Sequence, residues 1–395
     1  MYSEGIRWPF TFNEGQAGGR RSRPTSGRRM NTSNTAPVRE WPMLVALATA
    51  VLFFAFGRSW LADLSNPAWL AFLLAWPFAV ILLSASSVVR HAESLAAMLG
   101  EPLGTLVLTL SITGIEVIMI ASVMFTGQGH PTLARDSVFG VAMIGLNGVV
   151  GLSLIVGGIR YREQQYNLQG AQAFLAVLVP LLVLGLILPN YTVSAAGPTM
   201  SPLQAVSQIV ISIALYGVFL AIQNVRHREY FMTASDATAD HVPGIHSPWY
   251  HFPLLLAYLL LIVYLVEQIA IPIDYGIDVL KLPPALGGLL VSVLVMTAES
   301  MSAVRAAMAN ELQRSVNLLM GGVLASTSLT IPAVLVIGFI SGQTIILGLD
   351  AVEMTLLLLT LGVSALTFAG GRTNVLLGAV HLVLFLAYLM LIFEH

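Results

Sequence analysis

The sequence predicts an all-α polytopic membrane protein of about eleven transmembrane helices, one leading helix followed by two inverted five-helix repeats. Three observations lead there. Hydrophobic residues fill 56% of the 395 positions and charged ones only 10%, with a mean hydropathy of +0.82. A soluble domain carries about 25% charged residues, so the apolar excess is too large for one globular core. The apolar runs are long enough to cross about 30 Å of hydrocarbon. Finally, a glutamate sits inside one apolar run at Glu116, and the same local pattern returns at Glu299.

In chain order, residues 1–40 are rich in Arg, Gly, Ser, Asn and Pro without apolar periodicity, which predicts a disordered basic tail. Its charged stretch is too long for a signal peptide, and no small-residue cleavage site follows the first apolar run. The leading helix occupies 41–66, with an apolar core at 43–62 shortened by Arg58 and Asp63. The first repeat, 67–223, holds helices at 68–88, 103–126, 137–159, 171–190 and 203–223. A polar segment, 224–248, carries Glu229, Asp236, Asp240, His227, His241 and His246 and reads as a plain cytoplasmic linker. The second repeat, 249–395, holds helices at 250–272, 284–304, 315–340, 344–369 and 373–393.

Orientation follows from the basic residues. With the N-terminus cytoplasmic, fifteen of the eighteen Lys and Arg residues lie inside, and only Arg58, Arg135 and Lys281 lie outside. That is a strong positive-inside bias, and it predicts a multi-pass membrane protein with an external C-terminus. Five is an odd number, so two five-helix halves must cross the membrane in opposite senses, each with its glutamate in its second helix.

The segments Gly104-TLVLTLSITGI-Glu116 and Gly287-GLLVSVLVMTA-Glu299 align, with Leu106 matching Leu289 and Thr109 matching Ser292. A charge at bilayer depth costs about 2.5–3.5 kcal/mol on insertion scales, so two in matching positions imply use as an ion site. Thr109, Thr113 and Glu116 fall at i, i+4 and i+7 on one helix face; Ser292, Glu299 and Ser302 share a comparable stripe, with Thr297 near it. The third helices add Asn147 and Ser153 in one half, and Ser326, Thr327, Ser328 and Thr330 before Pro332 in the other. The candidate cation and proton ligands are therefore Glu116, Glu299, Thr113, Asn147, Ser302 and Ser326, with the two glutamates as the metal-binding pair. Such oxygen donors suit hard cations. Hydroxyls in membrane helices also bond their own i−4 carbonyls, which is the competing reading of each. His381 reads as a packing histidine or a proton relay, and Glu267, Asp350 and Glu353 read as helix-end carboxylates reaching toward headgroups. Gly145, Gly148, Gly151 and the pair Gly321–Gly322 read as close-packing positions.

The stretches Gly100-EPLGTLVLTLSITGIE-Val117, Arg314-SVNLLMGGVLASTSLTIP-Ala333 and Gly371-RTNVLLGAVHLVLFLAYL-Met390 resemble the ChaA-type bacterial calcium/proton antiporters of the calcium/cation antiporter superfamily. The resemblance runs from about residue 90 to the C-terminus. It implies a ten-helix core of two inverted repeats, with Glu116 and Glu299 lining a central site that exchanges Ca²⁺ for H⁺, or Na⁺ or K⁺ for H⁺ through the same glutamates.

Other classes fit less well. The chain contains no cysteine, which excludes disulfides, thiolate metal sites and cysteine nucleophiles. It shows no paired-histidine zinc motif or Gly-x-Gly-Asp site of an intramembrane hydrolase, so no enzyme is expected. A passive channel does not need titratable groups buried in both repeats. The expected partners are inorganic cations and the lipid bilayer, with no nucleic acid and no resident cofactor.

Overall fold

The computed structural model describes residues 40–99, 103–126, 131–232 and 247–394. Residues 1–39 of the expected basic tail and residues 233–246 of the expected linker lie outside them. Eleven helical rods occur among the described residues: α1 (Trp41–Trp60), α2 (Pro67–Leu99), α3 (Leu103–Thr126), α4 (Leu133–Tyr161), α5 (Leu168–Tyr191), α6 (Pro202–Arg226), α7 (Pro248–Asp278), α8 (Ala285–Met308), α9 (Leu312–Ser341), α10 (Ala351–Thr367) and α11 (Val375–Glu394). Eight are long and apolar enough to cross a membrane, and α8 makes nine if its two segments, bent by 51° between Thr297 and Glu299, count as one span.

Local chemistry sets the ends. Asn167 caps α5 by accepting from the Gln169 and Gly170 amides. Ser201 and Gln204 form a reciprocal capping box at α6, and Asp350 and Glu353 form another at α10. Gly342, in the left-handed region at φ 70°, ends α9. The apolar run at 344–369 had suggested one helix from its first residue. Instead α10 starts at Ala351, and the chain before it is tied to two other loops and to α5: the Ile346, Gly348 and Leu349 amides donate to the Pro131, Pro198 and Leu186 carbonyls. Burial of Leu347 and Leu349 explains why that loop is apolar. Helix α7 runs six residues beyond the expected 272, which puts Glu267 inside the rod and not near its end.

The core lies in the third helix of each half. About nine-tenths of the apolar window of α4 is buried (89%), and 61% of that of α9, against 28% for α1, α6 and α11 at the periphery. The outer rods carry their large apolar residues outward, among them Phe54, Leu203 and Leu376, as lipid-facing helices do. Contacts exchange when the halves are swapped. α2 packs on α7, first helix on first. α4 packs on α8 while α9 packs on α3; α11 packs on α4 while α9 packs on α6. Gly145, Gly148 and Gly151 make this fit possible, because a Cβ at these positions would strike Val323, Phe385 and the Gly378 carbonyl respectively. A two-residue antiparallel bridge, Gln164–Gln165 with Arg372–Thr373, ties the α4–α5 and α10–α11 connections together.

The leading helix is anchored at its start. Glu40 accepts from Arg90 Nη2 at 2.9 Å, Tyr258 Oη at 3.0 Å and Tyr250 Oη at 3.2 Å. Beside it His91 Nδ1 and His251 Nδ1 share a hydrogen bond of 2.8 Å.

Candidate functional site

Glu116 is fully buried in the middle of α3. One partner comes from the other half: Ser326 Oγ on α9 donates to Glu116 Oε1 at 2.8 Å. Its Oε2 has no hydrogen-bond partner among the described residues, and neither has Glu299 Oε2. Glu299 lies directly over Gly322 of α9, where an added Cβ would collide with Oε2 and would stand 2.7 Å from the carboxylate carbon. The missing side chain at residue 322 is thus the seat of a carboxylate. The sequence reads the glycine pair as close-packing positions. That reading fits Gly321, whose Cβ would meet only Phe174 at 3.7 Å, and misses Gly322.

Both glutamates line one cavity of about 160 Å³, together with Thr109, Thr113, Tyr216, Asn317 and Ser326. A water needs about 10–15 Å³ by this kind of measure, so a cation and several waters fit. Tyr216 Oη donates to Thr109 Oγ1 at 3.3 Å across the cavity wall. The arrangement can hold a hard cation on two carboxylates and hydroxyls, or protons on the same oxygens.

Of the six candidate ligands, Glu116, Glu299, Thr113 and Ser326 meet at this cavity, and Asn147 and Ser302 do not. Asn147 is buried in α4, donating to Thr360 Oγ1 at 2.8 Å and bonded to His381 Nδ1 at 3.0 Å. Its absence from the cavity is a matter of rotation: the cavity is walled by α3, α6, α8 and α9, while Asn147 is turned toward α10 and α11. Ser302 is exposed; the bend before Glu299 turns the helix face, so the stripe from Ser292 does not continue through it. Ser292 bonds the Ser137 and Gly288 carbonyls, and Thr297 bonds the Val293 carbonyl, the ordinary behaviour of hydroxyls in apolar helices. His381 uses both ring nitrogens, the second with Thr367 Oγ1 at 3.0 Å, and so is a hydrogen-bonded packing residue. Tyr216 and Asn317 had not been singled out. A tyrosine or an asparagine within a long apolar run carries no distinctive sequence signal.

The family model for sodium/calcium exchanger proteins matches residues 69–225 and 250–394. The chain belongs to the sodium/calcium exchanger family. This exchanger is 40% identical over 319 residues to the sodium-potassium/proton antiporter ChaA of Escherichia coli, covering 79% of this chain and 86% of that one. Its fold is similar to those of native YfkE and of selenium-substituted YfkE, a Ca²⁺/H⁺ antiporter, with TM-scores of 0.68 and 0.67. Identities there are 19% and 20%, and coverage is 90% of this chain and 100% of each of those. The exchanger is therefore a multi-pass membrane transporter of the ChaA type within the calcium/cation antiporter superfamily, as the three resembling stretches imply.

Proposed function

We propose that this protein is a secondary active transporter that exchanges Ca²⁺ for H⁺ by alternating access at the Glu116–Glu299 pair. The observation that carries this reading is that the two glutamates, one from each half, line a single cavity against α9. Two ionised carboxylates in a low-dielectric site repel each other, and either protons or a divalent cation relieves the repulsion. Cation and protons thus compete for the same oxygens. Competition at one site that faces each side in turn produces exchange. Ca²⁺ extrusion against an inside-negative potential costs about 2.3 kcal/mol per charge per 100 mV, which the proton gradient must supply.

The exchange of contacts between halves supports an inverted repeat, α2–α6 against α7–α11, and the arginine distribution supports a cytoplasmic N-terminus and an external C-terminus in a bacterial inner membrane. A second reading, Na⁺ or K⁺ in place of Ca²⁺ at the same site, is favoured by the name of the 40%-identical relative.

The test is flux in proteoliposomes containing the purified protein, with Ca²⁺, Na⁺ and K⁺ offered in turn against an imposed pH gradient. The Ca²⁺/H⁺ reading expects gradient collapse on adding Ca²⁺. Collapse with Na⁺ or K⁺ only establishes the second reading, and no response to any of the three from folded protein refutes both.

A further inference from the structure

A second cavity, of about 250 Å³, lies where α4, α8 and α10 begin and α11 ends, and Arg135, Asp136, Asp350, Glu353 and Tyr388 line it. Three carboxylates against one guanidinium leave it two negative charges in excess. Arg135 Nε donates to Asp136 Oδ1 at 2.7 Å. Its Nη1 donates to the Gly348 carbonyl at 3.3 Å, and its Nη2 stands 3.9 Å from Glu353 Oε2. Asp350 Oδ1 and Glu353 Oε2 are engaged in the capping box of α10. Tyr388 is 4% exposed and faces this cavity, and its hydroxyl makes no hydrogen bond among the described residues. The ring is buried while the hydroxyl opens onto the cavity, so beside surplus carboxylates it is free to donate to or accept from a ligand.

Tyr388 also has a counterpart. In the glutamate cavity, Tyr216 on the last helix of the first half bonds Thr109, two turns before Glu116. Tyr388, on the last helix of the second half, brings its hydroxyl onto Gly140, where Ser292 also packs, two turns before Glu299. Thr109 and Ser292 are the matched hydroxyls of the two glutamate segments. Each stands by a tyrosine from the last helix of its own half, one pair by the glutamate cavity and the other by the second cavity.

We propose that this second cavity is the outer mouth of the cation path, a capture site for a hard cation in which Asp136, Glu353 and Tyr388 supply oxygens and Arg135 holds the carboxylates in place. The inference rests on the exchanger reading and the topology proposed above. Right-side-out and everted vesicles report the two faces separately through initial rates of radioactive Ca²⁺ and Na⁺ exchange. Glu353→Gln and Asp136→Asn should each raise KM for cation offered at the outer face about fivefold. Tyr388→Phe, which keeps the ring against Phe139 and Phe385, should raise it about two- to threefold. KM at the inner face and the maximal rate should stay within about twofold of wild type in all three. An unchanged outer-face KM in all three variants, or an equal rise at both faces, overturns the site. A rise confined to the inner face overturns its outward placement. Wild-type vesicles without any exchange defeat the antiporter reading itself, before a variant is compared.

Discussion

Replacing Gly322 with Ala probes the seat of Glu299 directly. The new Cβ would collide with Oε2 and lie 2.7 Å from the carboxylate carbon, where ordinary contact is 3.4–4 Å. The carboxylate must therefore retreat by about 1 Å, and a misplacement of that size in a reacting or binding group costs about 100-fold. The atom displaced is the far end of a flexible side chain, so the fold gives way cheaply. Ala in a helix is also about 0.5–1 kcal/mol better than Gly. The expected outcome is exchange reduced about 10- to 100-fold with the thermal midpoint unchanged or raised. Gly321→Ala is the paired control, since its Cβ meets only Phe174 at 3.7 Å, and it should exchange like wild type. Proteoliposome flux and a thermal-shift measurement on the same preparations decide the matter. Near-normal exchange by Gly322→Ala would refute the idea that the carboxylate must sit on this glycine.

Glu116→Gln and Glu299→Gln should each abolish exchange while folding survives, because a neutral amide is cheaper to bury than a carboxylate; the exposed Glu163→Gln is the control, and transport by either core variant at near-normal rate would move the site elsewhere. Ser326→Ala removes a hydroxyl bonded to Glu116; a hydrogen bond to a charged group is worth about 1.5–3 kcal/mol, so cation KM should rise about tenfold or more, and an unchanged KM would make the bond incidental. Asn147→Ala leaves Thr360 and His381 without their shared partner, and should lower stability by about 1–3 kcal/mol in a denaturation assay while cation KM stays put. A cysteine introduced at Ser235, in a chain with none of its own, should resist an impermeant thiol reagent in intact cells; labelling from outside would reverse the topology.

The helices were legible because each is a long apolar run, and the glutamates because a carboxylate in such a run is rare. Thr113 and Ser326 followed from spacing and from the oxygen-rich stretch before Pro332. What sequence could not supply was rotation. Asn147 lies on the third helix of its half, as Ser326 does, yet α4 presents it to α10 and α11, and no periodicity distinguishes the two faces of a helix buried all round. Ser302 was misplaced by a bend no proline announces. Glu353 sits at the start of α10 as expected, and what the sequence does not show is that it lines a cavity with Arg135, from a segment more than two hundred residues earlier. The stretch before Ala351 was hidden because its apolar side chains serve a buried loop as well as they would serve a helix.

Ser326 follows Glu116 by 210 residues, and that separation governs how the site is made. At about 5–20 residues per second, synthesis delivers the hydroxyl about 10–40 s after the carboxylate it serves. Through that interval α3 stands in the bilayer without α9, so the first half is inserted before its acid has a wall to rest against. Insertion places the helices; docking of the second half completes the site. The same arrangement makes the chain divisible. Among the described residues, none that lines the glutamate cavity lies within 227–294, and most of the packing of α4 and α9 crosses between halves. Two polypeptides separated within the linker would each carry what the other lacks.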